Sequence, residues 1–134
     1  MLAALILFSI PFSMTTANDK QSGSVSLDSS DALGYLDIDG NGQTDALTDG
    51  LLILRYMFGL TGNALVTNAI STDASYTVHE DIHRRVLDVG LDLDVDNNGE
   101  VDALTDGLII LRYLFGLRGE VLIDGVISAN AERL

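Results

Sequence analysis

Two groups of side chains in this 134-residue chain have the type and spacing to hold a hard cation. In "DIDGNGQTD", Asp37, Asp39, Asn41, Gln43 and Asp45 fall at alternate positions, with Gly42 sixth. In "DVDNNGEVD" the same places hold Asp94, Asp96, Asn98, Glu100 and Asp102, with Gly99 sixth. Calcium takes six to eight oxygens at about 2.3–2.6 Å, and a twelve-residue loop supplies them from positions 1, 3, 5, 7 and 9 plus a terminal acid. Position 7 gives its backbone carbonyl, which Gln43 and Glu100 can do, and a glycine sits where the chain turns sharply. Magnesium keeps more waters and demands a stricter octahedron, so two calcium ions are expected. Carboxylates brought this close repel by about 1–4 kcal/mol per pair. Cation binding is therefore expected to be coupled to folding.

The twelfth position, where the acid belongs, is Thr48 in the first loop and Thr105 in the second. The acids, Asp49 and Asp106, come one residue later, inside an unchanged "DALTDG". One residue on a helix is about 100° of rotation. For Asp49 to reach the cation, the loop must hold an extra residue or the helix must start later. We expect thirteen-residue loops closed by Asp49 and Asp106, with Thr48 and Thr105 as helix-start residues and Gly50 easing the adjustment. Closure by Thr48 and Thr105 is the alternative.

Helices must position these loops, and the sequence contains them as a repeat. "LDIDGNGQTDALTDGLLILRYMFGLTG" (36–62) recurs as "LDVDNNGEVDALTDGLIILRYLFGLRG" (93–119), 57 residues on and identical at 20 of 27 positions. Their tails echo each other, "ALVTNAIS" against "VLIDGVIS". Each polar loop runs into an apolar helix, Leu47 to Phe58 and Leu104 to Phe115, with Leu47, Leu51, Leu54 and Phe58 expected along one face. Asp45 and Asp102 can N-cap these helices, and Gly59 and Gly116 can stop them. Arg55 and Arg112 are the only charges after the first turn. A helix apolar nearly all round is fully buried or has a partner. Tyr76 to Val89 reads as a third helix, with Val78, Ile82, Val86 and Val89 near one face, expected beside the second repeat. Ser24 to Tyr35 is expected to pack likewise, more briefly, on the first.

A "DIDGNG" or "DVDNNG" loop running into an apolar helix, and present twice, resembles the dockerin modules of secreted polysaccharide-degrading systems. The resemblance covers about 36–128. It implies an all-α fold in which two EF-hand-like calcium loop–helix units pack antiparallel, here with extra flanking helices. It also implies attachment to a protein partner such as a cohesin-like domain. The loop-end pairs Ala46-Leu47 and Ala103-Leu104 stand where dockerins select their partner, and with Arg55 and Arg112 they are assigned to that surface. The domain order expected is a signal peptide (1–17), a leader segment (18–35) and a dockerin-like domain (36–134). That domain divides into repeat one (36–71), a connecting helix (72–92) and repeat two (93–128). Since no second copy of the 75–89 helix follows the second tail, a truncated C-terminus is expected.

Composition narrows the function classes. A net charge of −13 speaks against nucleic acid or an anionic membrane as partner. Acidic disordered chains are poor in apolar residues, whereas this one is 47% hydrophobic and is expected to fold. There is no cysteine for a disulfide or a thiolate metal site. Leu2 to Phe12, followed by Thr15-Thr16-Ala17, reads as a cleaved secretory signal, too short to span a bilayer. The mature chain is therefore expected outside the cytoplasm, secreted or at the periplasm or cell surface. "HEDIH" places His79, Glu80 and His83 in the pattern of a zinc-binding catalytic helix. Asp81, Arg84 and Arg85 put charges where such helices are apolar, and no third ligand is placed beside it. An exposed charged face is the expectation there, and no enzyme activity. The readings of function are an attachment module, then a calcium-stabilised structural part of a larger exported protein, and last a zinc metalloprotease through His79-Glu80-Asp81-Ile82-His83.

Overall fold

The computed structural model describes residues 33–131. The expected signal segment and most of the leader segment lie outside the described residues. So does the short helix expected over Ser24 to Tyr35, except for its end, which enters a 3-10 turn, Gly34–Leu36. The described residues form helices and turns with no strand, as the all-α reading expects.

Each repeat has the same local order. The first loop enters a single π-helical turn, Ala46–Gly50, which continues as helix α1, Leu51–Met57, and then the short helix α2, Asn63–Val66. The connecting helix α3 spans His79–Val89 and ends in a 3-10 turn, Gly90–Leu93. The second loop leads to the π turn Ala103–Gly107, helix α4, Leu108–Leu114, and short helix α5, Glu120–Ile123. Gly59 and Gly116 follow α1 and α4 at φ of 84° and 94°. That left-handed conformation suits glycine and closes a helix C-terminus.

The buried face of the apolar helices is not the one the spacing from Leu47 suggests. Leu47 and Phe58 are 66% and 54% exposed, while Leu52 and Ile53 are fully buried. The π turn places one extra residue between Leu47 and the α-helix, so the α-helical period does not carry through it. Asp49, Leu52, Ile53 and Tyr56 instead share the inward face, spaced i, i+3, i+4, i+7. One helix face thus carries both the core and the late acid.

The two long helices meet through glycine. A Cβ on Gly50 would lie 3.0 Å from Leu111 Cδ1 and 3.2 Å from Leu114 Cδ1. A Cβ on Gly107 would lie 2.8 Å from Leu54 Cδ1 and 2.9 Å from Met57 Sδ. The start of each helix therefore lies against the far part of the other, in a reciprocal arrangement. Both glycines hold ordinary right-handed helical dihedrals. Their role is close approach between helices, and not the backbone adjustment expected of Gly50.

Helix α3 packs on the first repeat, and not beside the second as expected. Ile82 and Val86 are fully buried in the same core as Leu52, Ile53, Leu65 and Ala69. The His83 ring lies 4.9 Å from that of Tyr56. The chain is steered there just before the helix, where the Tyr76 amide donates to the Asp39 carbonyl at 2.9 Å.

Candidate metal centres

The late acid is placed by the π turn. Gly50 N donates to Asp45 O at 2.9 Å and Gly107 N to Asp102 O at 3.0 Å, bonds that span five residues where an α-turn spans four. This absorbs the surplus residue and swings Asp49 and Asp106 into their loops, where both are fully buried. Asp49 Oδ1 accepts from Ile38 N at 2.6 Å and Asp39 N at 3.2 Å. Its Oδ2 accepts from Asp45 N at 2.8 Å and from the Thr48 hydroxyl at 3.3 Å. Asp106 repeats the pattern with Val95 N, Asp96 N, Asp102 N and Thr105 Oγ1. Thr48 and Thr105 lie within the π turns and donate to the acids beside them.

The first acid of each loop folds the loop around itself. Asp37 Oδ1 accepts from Gly40 N at 2.9 Å and Asn41 N at 3.1 Å, and Oδ2 from Gly42 N at 2.9 Å. Asp94 likewise takes Asn98 N and Gly99 N. Asn41 and Asn98 accept from the amides of Gln43 and Glu100. Carboxylate oxygens of Asp37, Asp39 and Asp49 come within 4.8 Å of one another, and so do those of Asp94, Asp96 and Asp106. Among the described residues, no lysine or arginine forms an ion pair with any of these six. Among the described residues, the carboxylates themselves are met by N–H and O–H dipoles. Burial, the largest influence, holds the Asp49 carboxyl above its usual range against the backbone hydrogen bonds it accepts. Burial also raises Asp96, but hydrogen bonds from Ser128 and Asn98 prevail and hold it below the usual range.

Two serines complete the sites from a distance. Ser71 donates its amide to Asp39 Oδ2 at 2.9 Å, and its hydroxyl to the same oxygen. Ser128 donates its hydroxyl to Asp96 Oδ2 at 2.5 Å and its amide at 3.3 Å. Asn41 and Asn98 donate their side-chain amides to these hydroxyls at 3.0 and 2.8 Å. The loop motif does not contain the serines, but the tail repeat does, since "AIS" and "VIS" both end on them. A polar residue retained at the same offset in a tail otherwise apolar there was the available signal.

The first loop carries an added brace. From α3, Arg85 Nε donates to Ile38 O at 2.6 Å and Nη2 to Asp37 O at 2.7 Å, with its guanidinium 4.1 Å over the Tyr76 ring. Tyr76 covers Gly40, where a Cβ would come within 2.6 Å of the ring. The equivalent residue in the second loop is Asn97, which takes the same left-handed backbone at φ 59°.

Gln43, Asp45, Glu100 and Asp102 are exposed and outside the carboxylate clusters. Asp102 caps its helix by accepting from Leu104 N at 2.8 Å, whereas Asp45 makes no such bond. Ala46 and Ala103 are buried, so of the two expected partner-facing pairs only Leu47 and Leu104 face solvent. Arg55 Nη1 donates to Leu65 O at 3.1 Å and Thr67 O at 2.8 Å, and Arg112 Nη1 to Leu122 O and Asp124 O. Both guanidiniums thus cap the carbonyl ends of α2 and α5, which the helices themselves leave unbonded. His79 and His83 join no cluster of three ligating side chains among the described residues. His79 pairs with Glu80 at 3.1 Å, and His83 meets Tyr56.

Comparison with models of known protein families, with curated protein sequences and with solved structures gave no match.

Proposed function

We propose that this chain is a calcium-binding, dockerin-like attachment module of an exported protein, with two EF-hand-like units packed in antiparallel pseudo-symmetry. The observation that carries the reading is the duplicated aspartate triad, buried but for the half-buried Asp37, with no lysine or arginine paired to its carboxylates among the described residues. Three carboxylates in such a space favour a hard divalent cation over any softer metal, since every donor is oxygen. Asp37, Asp39 and Asp49 would hold one ion, and Asp94, Asp96 and Asp106 the other. Asn41 and Asn98, the carbonyls of Gln43 and Glu100, and Asp45 and Asp102 through water would complete the shells. Calcium is favoured over magnesium because the loop offers many protein oxygens, whereas magnesium keeps several waters and a strict octahedron.

Attachment rests on the exposed leucines. Leu47 and Leu104 present the same apolar side chain twice, at the mouths of two similar loops. A cohesin-like domain of a polysaccharide-degrading or cell-surface assembly is the partner class this reading proposes. The internal use of Arg55 and Arg112 favours a second reading, in which the module stabilises a larger exported protein and has no partner of its own. Isothermal titration with calcium, then capture from the source's secreted fraction with and without chelator, tests both. Two calcium ions per chain and calcium-dependent capture of one protein are expected. Two ions without capture favour the structural reading, and no calcium uptake overturns both.

A further inference from the structure

Each loop contains a dipeptide with a chemistry of its own, Asn41-Gly42 in the first and Asn98-Gly99 in the second. An asparagine followed by glycine is prone to cyclise, because glycine has no side chain to shield its backbone nitrogen. That nitrogen attacks the asparagine Cγ and gives its proton to water. The Cγ–Nδ2 bond breaks, and ammonia leaves a five-membered imide. Water then opens the imide at either carbonyl, giving aspartate or isoaspartate. The closed loop restrains every group in this reaction. The nucleophile is held, since Gly42 N donates to Asp37 Oδ2 and Gly99 N to Asp94 Oδ2, both at 2.9 Å. The electrophile is held, since Asn41 Oδ1 accepts from Gln43 N at 2.9 Å and Asn98 Oδ1 from Glu100 N at 2.8 Å. The leaving group is held, since Asn41 Nδ2 donates to Ser71 Oγ at 3.0 Å and Asn98 Nδ2 to Ser128 Oγ at 2.8 Å. Each serine hydroxyl is anchored in turn on a buried aspartate, Asp39 or Asp96. Rotating either amide therefore breaks bonds at both its oxygen and its nitrogen. Burial gives little protection here: both glycines are exposed and both asparagines only half-buried, so water reaches the site.

The first loop is held more firmly than the second. Asn41 Nδ2 has a further acceptor, Asp73 Oδ1 at 3.3 Å, whereas the 57-residue offset places Asn130 at the equivalent position. Arg85 holds the carbonyls of Asp37 and Ile38, and Tyr76 N that of Asp39. Among the described residues, no arginine donates to the corresponding carbonyls of Asp94 and Val95. We propose that Asn98-Gly99, and after it Asn41-Gly42, is a latent self-modification site: the asparagine persists while its loop is closed, and passes through the imide to aspartate and isoaspartate once the loop opens. The change is one-way. Isoaspartate adds a methylene to the backbone between the nitrogens of residues 98 and 99, which both donate to the Asp94 carboxylate in the closed loop. Aspartate keeps that spacing but puts a carboxylate oxygen where Nδ2 donated to Ser128, whose one hydroxyl proton already goes to Asp96. A chain whose second loop has opened is thereby marked for good. The inference goes beyond the calcium reading and does not rest on it, because the chain itself makes every bond named.

The test incubates the full chain in mildly alkaline buffer, folded and in urea, and follows each asparagine by peptide mass spectrometry. Exchange of the amide for a carboxyl raises the peptide mass, and electron-transfer fragmentation separates isoaspartate from aspartate. The folded arm is run with calcium and without, and circular dichroism scores the fold in each, so the outcome does not hang on ion uptake. In urea the two sites should convert at similar rates, because the dipeptide is the same. In the folded chain both should convert at least about tenfold more slowly, since the reaction waits for the loop to open, and Asn98 should lead Asn41. Ser128→Ala releases the Asn98 leaving group and should speed Asn98 about two- to tenfold, with Asn41 of the same chain as reference. Should that variant fail to fold, the comparison of folded and unfolded wild-type chain still decides. Conversion of the folded chain as fast as in urea would overturn the proposal. Faster conversion would overturn it too, since the Asp94 carboxylate would then be drawing the proton from Gly99 and the closed loop would promote the imide. Asn41 converting ahead of Asn98, or neither converting in urea, would also overturn it.

Discussion

Replacing Asp49 by alanine probes the hinge of the first site. The side chain accepts from the amides of Ile38 and Asp39, both buried, from that of Asp45, which is exposed, and from the Thr48 hydroxyl. Water can replace the acceptor at Asp45 but not at the two buried amides. Each buried donor left unpaired costs about 1–3 kcal/mol, giving a loss of about 2–6 kcal/mol. That is a large share of the roughly 5–15 kcal/mol that holds a domain of this size together. Thr48→Ala removes a single 3.3 Å bond and should cost less than about 1 kcal/mol. Asp49→Asn, which keeps the volume but turns one acceptor into a donor, should fall between them. Urea unfolding by far-UV circular dichroism, with chelator and with calcium, measures all three. Calcium titration of the variants that remain folded should show Asp49→Ala weakening one of two sites and Thr48→Ala weakening neither. Equal losses for Asp49→Ala and Thr48→Ala, in stability or affinity, would refute the assignment of Asp49 as the residue that closes the loop.

Other outcomes follow from neighbouring features. Gly40→Asn should destabilise by about 1–3 kcal/mol because the new Cβ meets the Tyr76 ring. Ser128→Ala should cost about 1–3 kcal/mol and loosen the second loop without touching the first, as amide exchange would show. Without calcium, acid should act oppositely on the two sites. The raised Asp49 pKa means that its protonated form favours folding, a contribution complete below the ordinary aspartate value of about 3.9 and lost as pH rises through the folded value. The lowered Asp96 pKa favours folding above about 3.9, and that contribution is lost as pH falls through its folded value. Carboxyl carbon shifts followed through a pH titration in chelator should separate the two. Since calcium needs ionised ligands, its affinity at the first site should weaken from the higher pH.

The repeat, the helices and the first two acids of each loop, Asp37 and Asp39, Asp94 and Asp96, were legible because each leaves a periodic mark on the sequence. The position of the late acid was legible as a problem, and its solution was not. Either an extended loop or a delayed helix could place Asp49, and the π turn that does so has no composition of its own. It also undid the face expected from Leu47, because a period counted across a π turn slips by one residue. The placement of α3 was misread because adjacency in sequence suggested the second repeat. The Tyr76–Asp39 backbone bond that sends it to the first involves no side-chain pattern. Arg55 and Arg112 looked like lone surface charges on apolar helices. The carbonyls they cap lie nine to twelve residues on, beyond the reach of helical periodicity.

Gly50 and Gly107 join the two centres thermodynamically. Each glycine belongs to the turn that aims one closing acid, and each is seated on side chains of the opposite helix. An ion that orders one loop fixes its turn, and with it part of the support under the other turn. If both triads take an ion as proposed, the second would meet a site whose ordering cost is already partly met, so positive cooperativity is expected, and by linkage the coupling is the same whichever site fills first. A single repeat cut from the chain would keep every ligand of its own loop and still bind more weakly, because its turn would have nothing to rest on.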